Sequence, residues 1–390
     1  MPPFAKAEYI ERVNMIKQEM EKKDVDVLIT SNPANMNYIS GYDGFSFYVP
    51  QAVILNLDEE EPTWMGRGID RNGARLTTWL KEDNIRGYSD DYVQSDTRHP
   101  MSFLADILRE KGLAYKCIGL EMEQEYLTCR GFWELQKGLP KASFKDISYL
   151  VNRKRMVKSP KEMEYLKIAG SITESIMEKG MQSIGEGIRE CQVAADVYHA
   201  HIYGTEEHGG DYPAIIPLMP SGERTSTAHL SWADRRYEKG ETVFFELAGC
   251  KNRYHVPLAR TILIGEQPSG EYRKLVDIVI EGLQAMLGHI RPGVTCESVE
   301  ETWRKTIQKY GIVKESRVGY PIGLGYPPDW GEKTASMRQG DKTILEPNMT
   351  FHVLPALWLD RNTFVTSESV RVTEMGCETL CNFPQKLFIT

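Results

Sequence analysis

The stretch "GETVFFELAGCKNRYHVPLARTIL", Gly240–Leu263, contains one residue out of keeping with its neighbours. Glu246 follows Val243, Phe244 and Phe245 and precedes Leu247 and Ala248. The run reads as a β-strand, and burying a carboxylate in it costs on the order of several kcal/mol unless something answers its charge. A lone strand glutamate often faces solvent, and the flanking phenylalanines leave both readings open. Tyr254 and His255 follow, and Pro257 lies eleven residues beyond the glutamate.

Around this stretch the second half of the chain mixes helices with strands. Ser159, Pro160 and Glu162 form a capping-box signature that opens one long helix over "KEMEYLKIAGSITESIMEKGMQSI". Further helices are predicted from near Ile188, over "YRKLVDIVIEGLQAMLGHI" and over "ESVEETWRKTIQKYG". Strands are predicted at "AIIPLM", "ETVFFELAG", "RTILIG", "MTFHVLPALW" and "ESVRVT", and "VGYPIGLGYPPDWGE" reads as a Gly/Pro-rich loop. Helices grouped around a mostly antiparallel sheet make this an α+β domain. The first half alternates helix and strand, as in "YIERVNMIKQEMEKKD" before "VDVLITS" and "MSFLADILREKG" before "KCIGLEM", which implies an α/β layer. The expected boundaries are residues 1–157 and 158–390.

Composition narrows the function. A chain of 390 residues with 41% hydrophobic and 26% charged residues has the make-up of an ordinary two-domain globular protein. The net charge of −8, with no basic stripe, argues against nucleic acid. The seven dispersed cysteines form no metal-type spacing and fit reduced thiols. No apolar run reaches the roughly 18 residues of a membrane span, and the N-terminus is charged and amphipathic. A cytoplasmic protein is expected. No Gly-rich phosphate-binding motif opens a helix.

Four patterns put polar groups where apolar ones are expected. They are "SGERTSTAHLSWADRRYEKG" with His229, Glu246 with Tyr254 and His255, the loop with Tyr320 and Trp330, and the tail with His352 and Glu368. Singly, each has an ordinary structural explanation. In order, they resemble the creatinase/methionine aminopeptidase/prolidase family of the pita-bread fold, and "NPANMNYISGY" and "RMVKSPKEMEYLKIAG" are typical of its two-domain branch. The resemblance implies a C-terminal pita-bread domain preceded by a creatinase-like α/β domain, and a homodimer.

The peptidases of that family hold two divalent metals with two Asp, one His and two Glu. Here the matching positions read Glu246, Pro257, Tyr320, Leu354 and Glu368. Proline and leucine offer no donor atom, so neither metal nor other cofactor is expected. The surviving set, His229, Glu246 and Glu368, is similar to the metal-free branch. It implies a cationic amidinium or guanidinium substrate standing in for the metals. Glu246 would attack the amidinium carbon or activate water, Glu368 would pair with a substrate N–H, and His229 would protonate the departing nitrogen. His255, Tyr320, His352 and Trp330 are the expected substrate-binding residues. Arg260, Arg371 and the loop around Trp330 are candidate partners for a substrate carboxylate. The finer details resemble members that open the cyclic amidine of ectoine, a small zwitterion. Creatine cleavage is the alternative, and a non-catalytic binding protein is the alternative of another class.

Overall fold

The computed structural model describes residues 2–358 and 363–390. It divides into Met1–Lys154 and Arg155–Thr390. Among the described residues no helix is long and apolar enough to cross a membrane.

In the first unit, six strands lie in the order β4-β3-β2-β1-β5-β6: β1 Val27–Thr30, β2 Ala52–Asn56, β3 Thr63–Arg67, β4 Ile85–Tyr88, β5 Cys117–Leu120 and β6 Ser143–Asp146. The β1–β2 and β2–β3 pairs are antiparallel, and the β1–β5, β3–β4 and β5–β6 pairs are parallel. Helix Pro100–Glu110 supplies Met101, Leu104, Ile107 and Leu108 to the core under this sheet. That is the expected α/β layer.

The second unit is built on a sheet ordered β15-β14-β11-β9-β8-β16, with β7 beside β8 and β10 beside β9. Its strands are β7 Thr242–Lys251, β8 Tyr254–Leu263, β9 Gly319–Tyr326, β10 Asp329–Gly331, β11 Thr350–Val353, β14 Glu368–Val372, β15 Cys377–Thr379 and β16 Phe388–Ile389. The short strands β12 Ala356–Leu357 and β13 Phe364–Val365 pair apart from it. Helix Pro160–Ser183 starts at the predicted capping box, where the Ser159 side chain accepts from Glu162 N at 3.2 Å. Helices Gly270–His289 and Cys296–Gln308 bury Leu283, Met286, Val299 and Trp303 in one cluster with Phe351, Val353 and Val370 of the sheet.

Two sequence expectations fail here. "AIIPLM" is not a strand; it makes only a bridge from Leu218 to Glu246, because Pro217 and Pro220 lack the N–H groups that a ladder needs. "VGYPIGLGYPPDWGE" is not a loop but the β9–β10 hairpin. Pro321 takes part in it through its carbonyl, which accepts from Glu332 N at 2.9 Å.

The long helix lies close against β7. A methyl group at Gly249 would come within 2.3 Å of the Ala169 carbonyl oxygen and 2.6 Å of Thr173 N. Gly249→Ala is therefore expected to cost about 3 kcal/mol through backbone displacement, read as a lower urea midpoint.

Candidate active site

Opposed residues of an antiparallel pair share a face, and successive residues alternate between faces. The β7–β8 register sets Glu246 opposite Ala259 and Ala248 opposite Pro257. These residues face one way, and Phe245 faces the other, toward Gly180 of the long helix. On β9, β11 and β14, His352 lies opposite both Tyr320 and Ser369. His352 Nδ1 is 4.0 Å from Glu246 Oε1, so these side chains join Glu246 on the same face.

Glu246 is 5% exposed and makes no side-chain hydrogen bond among the described residues. Burial, reinforced by the nearby Asp329 carboxylate, pushes its pKa up to about 7. Beside it runs a chain of hydrogen bonds with an obligate N–H donor at each end. The Trp330 indole N–H, which can only donate, gives to the Tyr320 hydroxyl at 2.9 Å. The Tyr320 hydroxyl is in turn hydrogen-bonded to His352 Nδ1, also at 2.9 Å, and His352 Nε2 is hydrogen-bonded to Ser367 Oγ at 2.7 Å. Ser367 Oγ also accepts from Ala259 N at 2.7 Å. Burial, helped by Arg317 and Arg260, lowers the His352 pKa to about 3. The imidazole is thus neutral, and its contact with Glu246 is not an ion pair. Burial also raises the Tyr320 pKa well above its usual value, and the phenol stays protonated.

The sequence profile described as metallopeptidase family M24 matches residues 164–376, and that of the creatinase/prolidase N-terminal domain matches residues 12–157. The chain belongs to the M24 family. Its relatives include an uncharacterized hydrolase/peptidase, y4tM, of Sinorhizobium fredii, 43% identical over 99% of this chain and 98% of that protein. The ectoine hydrolase of Halomonas elongata is 41% identical over the same shares. Among solved structures, the prolidase of Pyrococcus horikoshii superposes with a TM-score of 0.80 at 22% identity, covering 97% of this chain and all of that one. This M24 protein is therefore a hydrolase-family member with the creatinase-type N-terminal domain and the pita-bread fold expected from its sequence.

M24 peptidases imply a metal centre, and the donors here do not fit one. Pro257 and Leu354 have no ligating side-chain atom, and both His352 nitrogens are engaged. Among the described residues no three His, Cys, Asp or Glu side chains gather into a ligand set.

Several placements differ from the sequence expectation. Glu368 lies opposite Val353, whose side chain belongs to the helix-facing core, so it points away from the face that carries Glu246. It takes Arg260 Nη2 at 2.6 Å and Gln385 Nε2 at 2.9 Å. The hydroxyl that meets His352 belongs to Ser367, the residue immediately before β14. Arg260 cannot hold a substrate carboxylate, because its donors are spent on Glu368 and on the carbonyls of Ala259, Ser367, Phe383 and Pro384. Arg371 is likewise engaged, with Asn348 and Glu378.

His255 is not a substrate ligand either. Its Nε2 accepts from Ala214 N and its Nδ1 donates to Arg253 O, both at 2.9 Å, and burial lowers its pKa to about 3. Trp330 is 1% exposed and has given its N–H to Tyr320, so it supports the site without offering a donor. His229 lies exposed on the loop after the short helix Gly222–Ser226, with no hydrogen bond among the described residues.

Two residues were missed. Asp329 opens β10 and raises the Glu246 pKa, and Arg317 lays its guanidinium 4.5 Å from the centre of the Tyr320 ring. The charge of "PPDWGE" was a signal for Asp329; nothing in "KESRVGY" marked Arg317.

Proposed function

We propose that this protein is a metal-independent hydrolase that opens the cyclic amidine of ectoine to N-acetyl-2,4-diaminobutyrate. The observation that carries this reading is Glu246, a buried carboxylate without a hydrogen-bond partner among the described residues and with a second acid, Asp329, close enough to raise its pKa. Two such acids are relieved by a cation, and an amidinium supplies both the charge and the N–H donors. Full-length similarity to an ectoine hydrolase supports the choice of ring.

In this mechanism the substrate carboxylate meets Arg317 and the amidinium lies toward Glu246 and Asp329. Glu246 takes a proton from water as the water oxygen bonds to the amidinium carbon. The C–N bond then breaks as His229 gives a proton to the ring nitrogen. The new hydroxyl returns a proton to His229 as it becomes the amide carbonyl, and the freed amine takes the proton held by Glu246, so the net change is addition of one water. Direct attack by Glu246, followed by hydrolysis of the adduct, gives the same product.

The deciding experiment incubates chelator-treated protein, with its metal content measured, with ectoine, creatine and an Xaa-Pro dipeptide. Consumption of ectoine alone, unchanged by added Mn, Co or Zn, is expected. Metal-dependent dipeptide cleavage or urea release from creatine overturns the reading, and thermal stabilisation by ectoine without product leaves a binding protein. Arg317→Ala should raise KM by about 10- to 100-fold with kcat little changed, the loss of one charge-assisted contact. An unchanged KM removes Arg317 from the site.

A further inference from the structure

We infer that Glu190 is a positioning residue whose buried carboxylate anchors the segment that carries His229. The inference rests on the proposed role of His229 as proton donor. Glu190 is the first residue of helix Glu190–Tyr203 and is fully buried. Its Oε1 accepts from the Ser221 hydroxyl and from Arg235 Nη1 at 3.3 Å. Its Oε2 accepts from Arg224 Nη1 at 3.1 Å and from Ala233 N at 2.5 Å. Every one of these donors lies on the Ser221–Arg235 segment, two on each side of His229.

The grip extends to the catalytic strand. Arg224 Nη2 donates to Ser231 O at 2.6 Å, and Ser231 Oγ donates to Pro217 O at 2.9 Å. Next in the chain, Leu218 exchanges backbone hydrogen bonds with Glu246, at 2.9 and 3.2 Å. A continuous path thus joins Glu190 to Glu246 around the loop. His229 has no hydrogen bond of its own among the described residues, so the loop backbone decides where the imidazole stands. A buried carboxylate with two arginines and a backbone N–H is costly to disrupt, which makes it a rigid tether.

The test is a double-mutant cycle of Glu190→Gln with His229→Ala, read as kcat and KM on ectoine. Glu190→Gln alone should lower kcat by about 10- to 100-fold, the scale of a displaced catalytic group, with KM little changed. In the His229→Ala background it should lower kcat no further, since the two act as one unit. A purely structural role would multiply through both backgrounds, and that result overturns the inference. Arg224→Gln, which keeps the Glu190–Arg235 pair, serves if Glu190→Gln does not fold; it should show the same non-additivity with a smaller loss.

Hydrogen exchange gives an independent reading if His229→Ala is too slow to assay. Faster exchange confined to residues 222–234, together with the fall in kcat, supports the tether; unchanged or global exchange rejects it. Full activity of His229→Ala would instead remove the proposed proton donor, and is separable from any effect at Glu190.

Discussion

Glu246→Gln should abolish ectoine turnover while making the folded protein more stable above neutral pH. As general base the carboxylate is worth about 10²- to 10⁴-fold in rate, and more if it forms the covalent bond. The gain in stability follows from burial. The folded pKa, about 7, lies above the ordinary value of 4.5. A raised pKa contributes stability that is fully present below the unfolded value and is lost as pH rises through the folded one. Wild-type protein therefore loses about 3 kcal/mol between pH 4.5 and pH 8 at this one site, and the neutral glutamine does not. Melting curves of both proteins at pH 5 and pH 8 measure the difference, most of which should appear at the higher pH. The same ionisation should shape catalysis. In the free enzyme kcat/KM should fall about tenfold per pH unit below about 7. A bound amidinium favours the ionised acid, so the limb in kcat should lie lower. A variant that keeps activity, or a limb with the same midpoint in both parameters, would remove Glu246 from the reaction.

That Glu246 would matter was legible because a charge broke an apolar strand, and a strand of period two puts such a residue on a definite face. The same logic could not be applied to "TSESVRVT" from sequence alone. Ser367, Glu368 and Ser369 are consecutive polar residues, so no alternation says which of them faces the site. Glu368 is the more reactive residue type, but the β11–β14 register puts it on the other face. The layers and helices were readable because their apolar periods are long and their caps are local. The β9–β10 hairpin was not, because Gly and Pro mark turns whenever tertiary pairing does not overrule them. His255 and Trp330 looked like ligands because their chemistry suits a ligand. Only coordinates reveal that backbone groups and Tyr320 have already taken their nitrogen atoms. Asp329 and Arg317 act through distance, which a linear sequence does not contain.

The reassignment of Glu368 leads to the second large effect, and it is one of stability. Arg260 is fully buried, and among the described residues its guanidinium is answered by four carbonyls and a single anion, Glu368. Glu368→Gln keeps a hydrogen-bond acceptor but leaves the buried cation without a counter-charge, a loss of about 3–5 kcal/mol. The urea midpoint should fall accordingly, while the folded fraction keeps the wild-type KM and pH profile. Arg260→Met exposes the opposite half of the pair. Burial already raises the Glu368 pKa, so the abandoned acid can escape its charge by taking a proton, and this variant should be the milder of the two. Arg260→Met combined with Glu368→Leu should recover much of what either single change loses, because two charges leave the interior together. The catalytic role that the sequence suggested makes the opposite forecast. It requires Glu368→Gln to lose kcat by about 10²-fold or more at unchanged stability. Comparing kcat with the urea midpoint on this one variant decides whether Glu368 serves the chemistry or the fold that supports it.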